Sequence, residues 1–331
     1  MHTRPLSAAA LIMATAGCDI PICSERLLDA CQKARDVSAF IGNEIGQATP
    51  NGNAVLGEAD ALHATGRMSI ALRATSSTRA VPTMGNMVVR TDGVVSNSTF
   101  TVEASRITTV NADVGVGMFR GIRAHETRVG AVDLLGTATF VPAFGESDLR
   151  ARPRGLAVGI GLRLGVIGET AMLPAISLSV GSRASPAFSL KSAPIPTMDG
   201  GSQTIDLELI RATRTYYRVA TAKRIGRLGL TAGFGEDAHR VSASYRVTDV
   251  ADEAGMAFQS VSGVRSHRRM AFGGASLALG RTTLAFEAGR FGGGQALTSV
   301  NTFAGDDARR SRTFVSFGVR IPAGRTHDRG S

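Results

Sequence analysis

Side chains that could do chemistry are few and widely spaced in this sequence of 331 residues. Its six histidines, at positions 2, 63, 125, 239, 267 and 327, form no close pair and no HExxH motif. Gly274-Ala275-Ser276-Leu277 continues with Ala278, so it lacks the second glycine of a hydrolase Gly-x-Ser-x-Gly elbow. No P-loop motif is present either. We therefore expect no enzymatic activity, no catalytic residue and no cofactor.

Two carboxylates and the cysteines offer the remaining candidates for a reactive or metal site. Asp206 and Glu208 would share one face of a strand, as paired catalytic carboxylates can. Arg211 and Arg214 follow closely, which favours a structural ion-pair network. The three cysteines lack the two-residue spacing and the histidine pair of a zinc site. The sequence predicts no metal site.

Residues 155–169 read GLAVGIGLRLGVIGE and contain Gly159-x-Gly161, the start of a dinucleotide-binding loop. Such a loop joins a strand to a helix, and its third glycine comes three residues after the second. Here Gly165 comes four residues after Gly161, and no helical period follows. Aliphatic residues instead occupy every second position from Leu156 to Val166, which predicts a strand with two unlike faces.

The N-terminus has the three-part pattern of an export signal. Residues 1–4 carry positive charge, residues 6–15 are apolar or small, and Ala14-Thr15-Ala16 fits a cleavage site. The apolar core is too short to span a bilayer, and no other apolar run approaches the ~20 residues of a membrane helix. We expect residues 1–16 to be a signal peptide and the chain to be exported through the Sec route.

All three cysteines follow the expected cleavage site, in keeping with an oxidising compartment. Ser24 resembles a helix N-cap, so a helix would hold Cys23 and Cys31 ~12 Å apart, too far for a disulfide. Cys18 and Cys23 bracket a short loop that could close, and we expect that pair to form the disulfide. Lipidation of Cys18, in a loose lipoprotein box, is the alternative.

The chain then divides into three parts by its periodicity. A helix is predicted from Ser24 to Gly42, and residues 17–65 are expected to form a periplasmic helix and a plug-like segment. From Gly66 the apolar period changes to two, so residues 66–321 are expected to form a β-barrel. Residues 322–331 are expected to be a polar C-terminal tail.

Alternating segments of about ten residues recur along residues 66–321. They are separated by turn signals such as Ile225-Gly226-Arg227 and Gly235-Glu236-Asp237, and by longer polar segments at 143–153, 184–203, 249–257 and 292–311. Short turns alternating with long loops are typical of a membrane meander. We count about twelve strands, within a range of ten to fourteen.

The expected fold is all-β, a closed antiparallel transmembrane β-barrel with a short N-terminal helix. Alternation alone does not exclude a soluble β-sandwich, because it shows only that the two faces of a strand differ. The export signal and the number of strands favour the barrel, since a closed wall has no exposed edge. The expected location is the outer membrane, with outer-membrane lipid as a partner.

Charge carries the sharpest functional indication. The net charge is +10, lysine occurs only at 33, 191 and 223, and the arginines are scattered, which argues against nucleic acid as a partner. Charged residues recur at mid-strand on the non-aliphatic face, and we take seven as candidates for lining a lumen: Arg73, Asp113, Arg163, Arg240, Arg246, Glu287 and Arg320. They would favour anions in an open channel, or would pair with acids inside a plugged barrel.

Two segments resemble a set of uncharacterised predicted outer-membrane β-barrel proteins. They are Gly66-Arg67-Met68-Ser69 and the stretch GAVDLLGTATFVP at 130–142. The resemblance covers most of the mature chain and implies a fold and a location without an activity. The last strand, Thr313 to Ile321, resembles the C-terminal strand of such barrels, although the polar tail stands where a terminal aromatic is expected. This implies the barrel assembly machinery as a partner.

Two functions remain. The first is an outer-membrane channel for small anionic or hydrophobic solutes, with the solute itself unidentified. The second is a non-transporting exported β-barrel or β-sandwich that acts as a surface scaffold or ligand binder.

Overall fold

The computed structural model of the protein describes residues 23–48, 52–84, 87–143, 152–251, 256–292, 300–304 and 311–323. The expected signal peptide, Cys18 and most of the polar tail lie outside these ranges. A 3-10 turn, Glu25–Leu27, leads into the α-helix α1, Leu28–Ala48. The helix runs six residues beyond Gly42, so the predicted stop at that glycine is wrong.

Within these ranges ten long strands carry the fold: β1 Met68–Pro82, β2 Val102–Phe119, β3 Ala131–Phe140, β4 Ala157–Ile167, β5 Ala175–Ala184, β6 Ser202–Ile225, β7 Leu228–Asp249, β8 Met256–Leu279, β9 Thr282–Gly292 and β10 Arg312–Ala323. Each pairs antiparallel with the next along the chain. β10 also pairs with β1, where Ile70 lies opposite Ile321, so the hydrogen-bonded order forms a ring.

The predicted count of twelve exceeds the observed ring because three strands are very long. Gly235-Glu236-Asp237, interpreted as a turn, lies inside β7 and pairs with β6 and β8 throughout. β6, β7 and β8 have 24, 22 and 24 residues, roughly twice the length of β3 or β4. Ten strands remain within the predicted range.

The two rims of the ring differ in their connections. At one rim, tight turns at Gly226 and Gly280 join β6 to β7 and β8 to β9; both glycines have positive φ, which suits them to such turns. We call it the short-turn rim; it also carries the hairpin Ile122–Ala124/Thr127–Val129. Longer connections leave the opposite, long-loop rim and include the short strands Thr99–Phe100, Arg152–Arg154, Ala187–Lys191, Ile195–Pro196 and Thr302–Phe303.

The outer surface of the ring has two zones. Near the short-turn rim the outward side chains are large, apolar and exposed, and we call this zone the outer belt. It includes Leu72, Val110, Leu134, Ile160, Leu162, Val180, Phe234, Leu277, Phe286 and Phe317. Towards the long-loop rim, the outward positions of β7 become Ala238, Arg240, Ser242, Ser244 and Arg246. The outer face of β7 is therefore apolar near the short-turn rim and polar towards the long-loop rim.

The interior reverses this pattern. Odd-numbered residues of β7 face inward along its whole length, and they change from polar Thr231 and Asp237 to apolar Val241, Tyr245 and Val247. Tyr245 and Val247 pack in one buried cluster with Leu27 of the 3-10 turn and with Ala34, Val37, Phe40, Ile41 and Ile45 of α1. Val241 lies against Gly42 of the same helix. The helix therefore lies inside the upper half of the ring, where it provides the core that the wall strands need.

A disulfide joins Cys23 to Cys31, with the two Cα atoms 6.6 Å apart. The expectation that a helix keeps these residues apart, and with it the expected Cys18–Cys23 pairing, is wrong. Cys23 lies before the helix, and extended backbone at Ser24 (ψ 157°) turns the chain, so that Cys23 does not continue the helical rise. None of the helices in the described ranges has the length and apolar character to cross a membrane.

Candidate functional site

The lower interior of the ring holds residues 52–65, which run from the end of α1 down to the start of β1. Arg73 on β1 donates a hydrogen bond from Nη1 to the carbonyl of Asn53 at 3.1 Å. Arg218 on β6 donates from Nε to the carbonyl of Gly52, also at 3.1 Å. The amide of Asn53 in turn donates to both carboxylate oxygens of Glu287 on β9. Side chains of the ring strands thus provide hydrogen-bond partners for the backbone N–H and C=O groups of a segment that forms no strand or helix of its own.

Further along residues 52–65, acidic side chains as well as arginines of the ring strands bind the segment. The amide of Leu62 donates to the carboxylate of Asp133 on β3, at 3.2 and 3.3 Å. Asp133 also pairs with Arg163 on β4, with an Nη2–Oδ2 distance of 2.7 Å. Glu58 forms an ion pair with Arg320 on β10. The Leu62 and Glu58 contacts thus join residues 52–65 to two different strands of the ring, β3 and β10.

Buried ion pairs also join neighbouring wall strands. Arg73 and Asp113 pair across β1 and β2 at 2.5 Å. Asp237 on β7 accepts from Arg218 at 2.5 Å and lies 3.3 Å from Arg214, and all three side chains are at most 3% exposed. Unpaired charges buried in this way would cost several kcal/mol each, so mutual pairing is the condition under which the interior folds.

The C-terminal end of α1 meets a second group of arginines. Arg79 on β1 donates from Nη1 to Oε1 of Gln47 at 3.0 Å and from Nη2 to the Gln47 carbonyl. Arg268 and Arg312 both lie within 4 Å of the Glu44 carboxylate. Cations at this end suit the partial negative charge of a helix C-terminus. The arginines therefore fix the depth to which the helix is inserted.

The N-terminal part of α1 is fastened to the long loops. Lys33 and Asp29 are both buried and pair at 2.6 Å, and Ser96 in the β1–β2 connection bonds to both. Burial lowers the pKa of the Lys33 ammonium, while the hydrogen bond and charge of Asp29 act in the opposite direction. Asp36 accepts two hydrogen bonds from Asn301, in the β9–β10 connection. Arg26, at the rim, pairs with Asp249 at 2.8 Å.

Close packing completes the seating of the helix. A Cβ atom on Gly46 would lie 2.8 Å from Nδ1 of His239 and 3.1 Å from Cβ of Ala212, and one on Gly42 would clash with Val241. Two glycines four residues apart thus let α1 lie directly against β6 and β7. This face of the helix has no room for a larger side chain.

Five of the seven lumen candidates lie inside the ring and are at most 8% exposed: Arg73, Asp113, Arg163, Glu287 and Arg320. Arg240 and Arg246 do not join them. Both lie on the outer face of β7, and Arg246 pairs with Glu208 at 3.4 Å. The inference failed because it took the aliphatic face of every strand as the outer one, whereas Val241 and Tyr245 face α1.

Other inner residues were missed as site residues by the sequence analysis, chiefly Arg79, Arg218 and Asp237. A signal for them was present in β7. Its apolar residues change from even positions, Leu228 to Phe234, to odd positions from Val241 onward, and Asp237 lies where the change occurs. The expected network of Asp206 and Glu208 with Arg211 and Arg214 does not form. Asp206 lies 3.9 Å from Lys191, and Arg214 faces inward to Asp237.

The described residues contain no group of three or more His, Cys, Asp or Glu side chains placed to hold a metal ion. The interior is instead an arrangement of paired charges around a strand-free segment and a helix. These side chains bind α1 and residues 52–65, which are the N-terminal part of the chain itself.

No family model and no curated protein sequence matches the chain. Among solved structures it is similar to the outer membrane protease OmpT from Escherichia coli, with a TM-score of 0.41, 10% identity and coverage of 78% of this chain and 97% of that chain. It is also similar to the translocator domain of autotransporter NalP from Neisseria meningitidis (TM-score 0.33, 11% identity, coverage 88% and 95%). The Pseudomonas putida toluene transporter TodX has a TM-score of 0.30 and 9% identity, with coverage of 86% and 93%.

Proposed function

We propose that the protein is an outer-membrane β-barrel that its own N-terminal segment keeps closed to solutes, and that it acts as a membrane-anchored surface scaffold. The observation that carries this proposal is the set of buried contacts that hold α1 and residues 52–65 inside the ring.

The outer belt supports the membrane location. Along β4 and the residue before it, the outward residues from Leu156 to Val166 are all aliphatic, and Ile160 near the centre is 62% exposed. Ten residue steps of ~3.3 Å, tilted by ~40°, span ~25 Å along the barrel axis. This height equals the apolar band of outer-membrane barrels. In water, the same surface would be an exposed apolar patch far larger than soluble proteins carry.

The lengths of the connections support an orientation. Bacterial outer-membrane barrels have short periplasmic turns and longer extracellular loops. By this rule the short-turn rim faces the periplasm, and the upper zone, with α1 inside it, projects from the cell. The helix thus belongs to the outer side of the membrane in this proposal, in place of the periplasmic position expected from the sequence. Export through the Sec route and insertion by the barrel assembly machinery remain part of the proposal.

A channel for small anions is the second candidate, favoured by one cavity. A space of about 300 Å³ opens near the short-turn rim and is lined by Arg67, Arg224, Arg281 and Arg320 together with Glu58 and Asp60. Arginines at the mouth of a pore select anions. In this candidate α1 must leave the ring before solute passes.

Fractionation and conductance test the proposal together. The full-length protein should resist extraction from membranes by carbonate buffer, dissolve only in detergent and give no conductance steps in planar bilayers. Recovery in detergent-free buffer would contradict the membrane location. Steady anion-selective conductance from folded, heat-modifiable protein would contradict the closed barrel and support the channel.

A further inference from the structure

A group of arginines lies on the outside of the ring, directly above the outer belt. Its members are exposed, face outward and come from four neighbouring strands, β6 to β9. We call them the outer arginine patch: Arg211, Arg240, Arg265, Arg269 and Arg290. None of them contributes to the interior contacts that close the barrel.

The register brings like charges together in this patch. Arg240 on β7 lies directly opposite Arg265 on β8, in the same ladder where Glu236 lies opposite Arg269. Like charges directly opposite each other on antiparallel strands destabilise the pair. An anion that accepts hydrogen bonds from both guanidinium groups would relieve this repulsion.

Acidic partners are too few within the described part of the chain to neutralise the patch. Glu236 is the carboxylate at this level of the outer face, and it accepts from His267 at 3.1 Å. Glu208 lies higher and pairs with Arg246. No ion pair joins Arg211, Arg240, Arg265 or Arg269 to an acid among these residues. The patch therefore carries a local excess of positive charge.

An apolar groove lies just below the patch on the same outer surface. Its volume is about 1190 Å³, and its lining includes Leu162, Leu164, Leu178, Val180, Val219 and Phe234. Arg269 and Arg290 also line it, at the edge nearest the long-loop rim, together with one carboxylate, that of Glu236. A ligand in this place would therefore meet hydrocarbon below and guanidinium groups above.

We infer that the outer arginine patch and the groove together bind a lipid of the surrounding leaflet, one that carries phosphate on its headgroup. The inference rests on the proposed membrane location, which puts the patch at headgroup level on the outer side. Arginine holds phosphate by paired N–H donors, and the groove accommodates acyl chains. Arg265 and Arg269 are four residues apart on one strand face, ~13 Å, so a headgroup with two separated phosphates fits the patch.

Binding in detergent solution tests the inference. The probes are lipid A with both phosphates, monophosphoryl lipid A and inorganic phosphate, titrated into the purified full-length protein. We expect saturable binding of bisphosphorylated lipid A, weaker binding of the monophosphoryl form and none of inorganic phosphate. Each arginine near an anionic lipid contributes about fivefold to affinity, so R240Q/R265Q/R269Q should bind ~100-fold more weakly.

The matched control removes three exposed arginines elsewhere, R106Q/R120Q/R123Q. It has the same net charge as the patch variant and should bind as the wild type does. Equal binding by the patch variant and the wild type would overturn the inference, as would equal binding of bisphosphorylated and monophosphoryl lipid A. Binding of inorganic phosphate without binding of lipid A would overturn it too, because it would show an anion site that takes no lipid. Carbonate extraction of the same proteins separates the two proposals. A protein that the buffer releases from the membrane would refute the membrane location. A protein that stays in the membrane but shows no preference for phosphorylated lipid would refute only this inference.

Discussion

Arg73 and Asp113 form a buried ion pair between the first two strands of the ring, with Nη2 and Oδ2 2.5 Å apart. The pair also reaches beyond the wall. Arg73 donates to the carbonyl of Asn53, and Asp113 accepts from the hydroxyl of Thr137 at 2.8 Å. One interaction thus links β1, β2, β3 and the segment inside the barrel, and closure of the interior depends on the folding of the wall.

Removing one member of this pair should destabilise the barrel more than removing both. R73M leaves the Asp113 carboxylate buried without its cation and should cost about 3–5 kcal/mol of unfolding free energy. R73M/D113L leaves no buried charge at this position and should regain most of that loss. The temperature at which the folded band disappears in heat-modifiability gels measures both. A double variant no more stable than R73M would show that the pair does not couple as described.

Depth along the strands should decide the effect of a charge on the outer surface. L162R places an arginine in the middle of the outer belt and should cost about 2–4 kcal/mol of folding free energy in a membrane. S244R places the same residue on the outer face of the upper zone and should cost almost nothing. Folding yields into lipid vesicles compare the two. Equal yields would contradict the assignment of the belt to the bilayer.

The disulfide gives a chemical check on the N-terminal part. Peptide mapping of non-reduced protein should yield Cys23 linked to Cys31. C31S should lower stability by roughly 2–3 kcal/mol, the value expected from loop closure over a short segment. A map that links Cys18 to Cys23 would contradict the observed pairing. Unchanged stability in C31S would show that the bridge does not hold the start of α1.

The glycine face of α1 should tolerate no enlargement. G42L would force the helix away from Val241 on β7, with a cost of about 1–3 kcal/mol for overpacking. The matched control is G136L, on the outer face of β3, where an added Cβ meets nothing within 4 Å. Conductance in planar bilayers should appear only with G42L. Identical behaviour of the two variants would argue against tight seating of the helix.

The sequence predicted the wall better than the interior. Alternation from Leu156 to Val166 identifies β4 because lipid-facing and lumen-facing residues are chemically opposite there. The same rule placed Arg240 and Arg246 in the lumen, since a period of two shows that the faces differ and does not tell which one faces inward. In the upper zone the outer face of the ring contacts water and the inner face contacts α1. The apolar residues of β7 therefore face outward in its lower part and inward in its upper part.

The position of the helix could not be read from local patterns. Asp29, Lys33 and Glu44 give α1 a polar composition typical of a surface helix, yet all three are buried. Their partners Ser96, Arg268 and Arg312 are distant in the chain. Only the closed ring brings these residues together, so the contacts depend on topology rather than on sequence spacing.

The most direct test of the central claim is a cross-link between the helix and the inner wall. Oγ of Ser266 on β8 donates a hydrogen bond to Oδ1 of Asn43 on α1 at 2.6 Å, so cysteines at these two positions lie within reach of a short thiol-reactive cross-linker. N43C/S266C in native membranes should be joined by such a reagent, as detected by peptide mapping. N43C/R265C is the control, because Arg265 neighbours Ser266 on the same strand and faces outward. Cross-linking of the first pair and not the second would confirm that the helix lies inside the barrel, whereas no cross-link in folded N43C/S266C would contradict it.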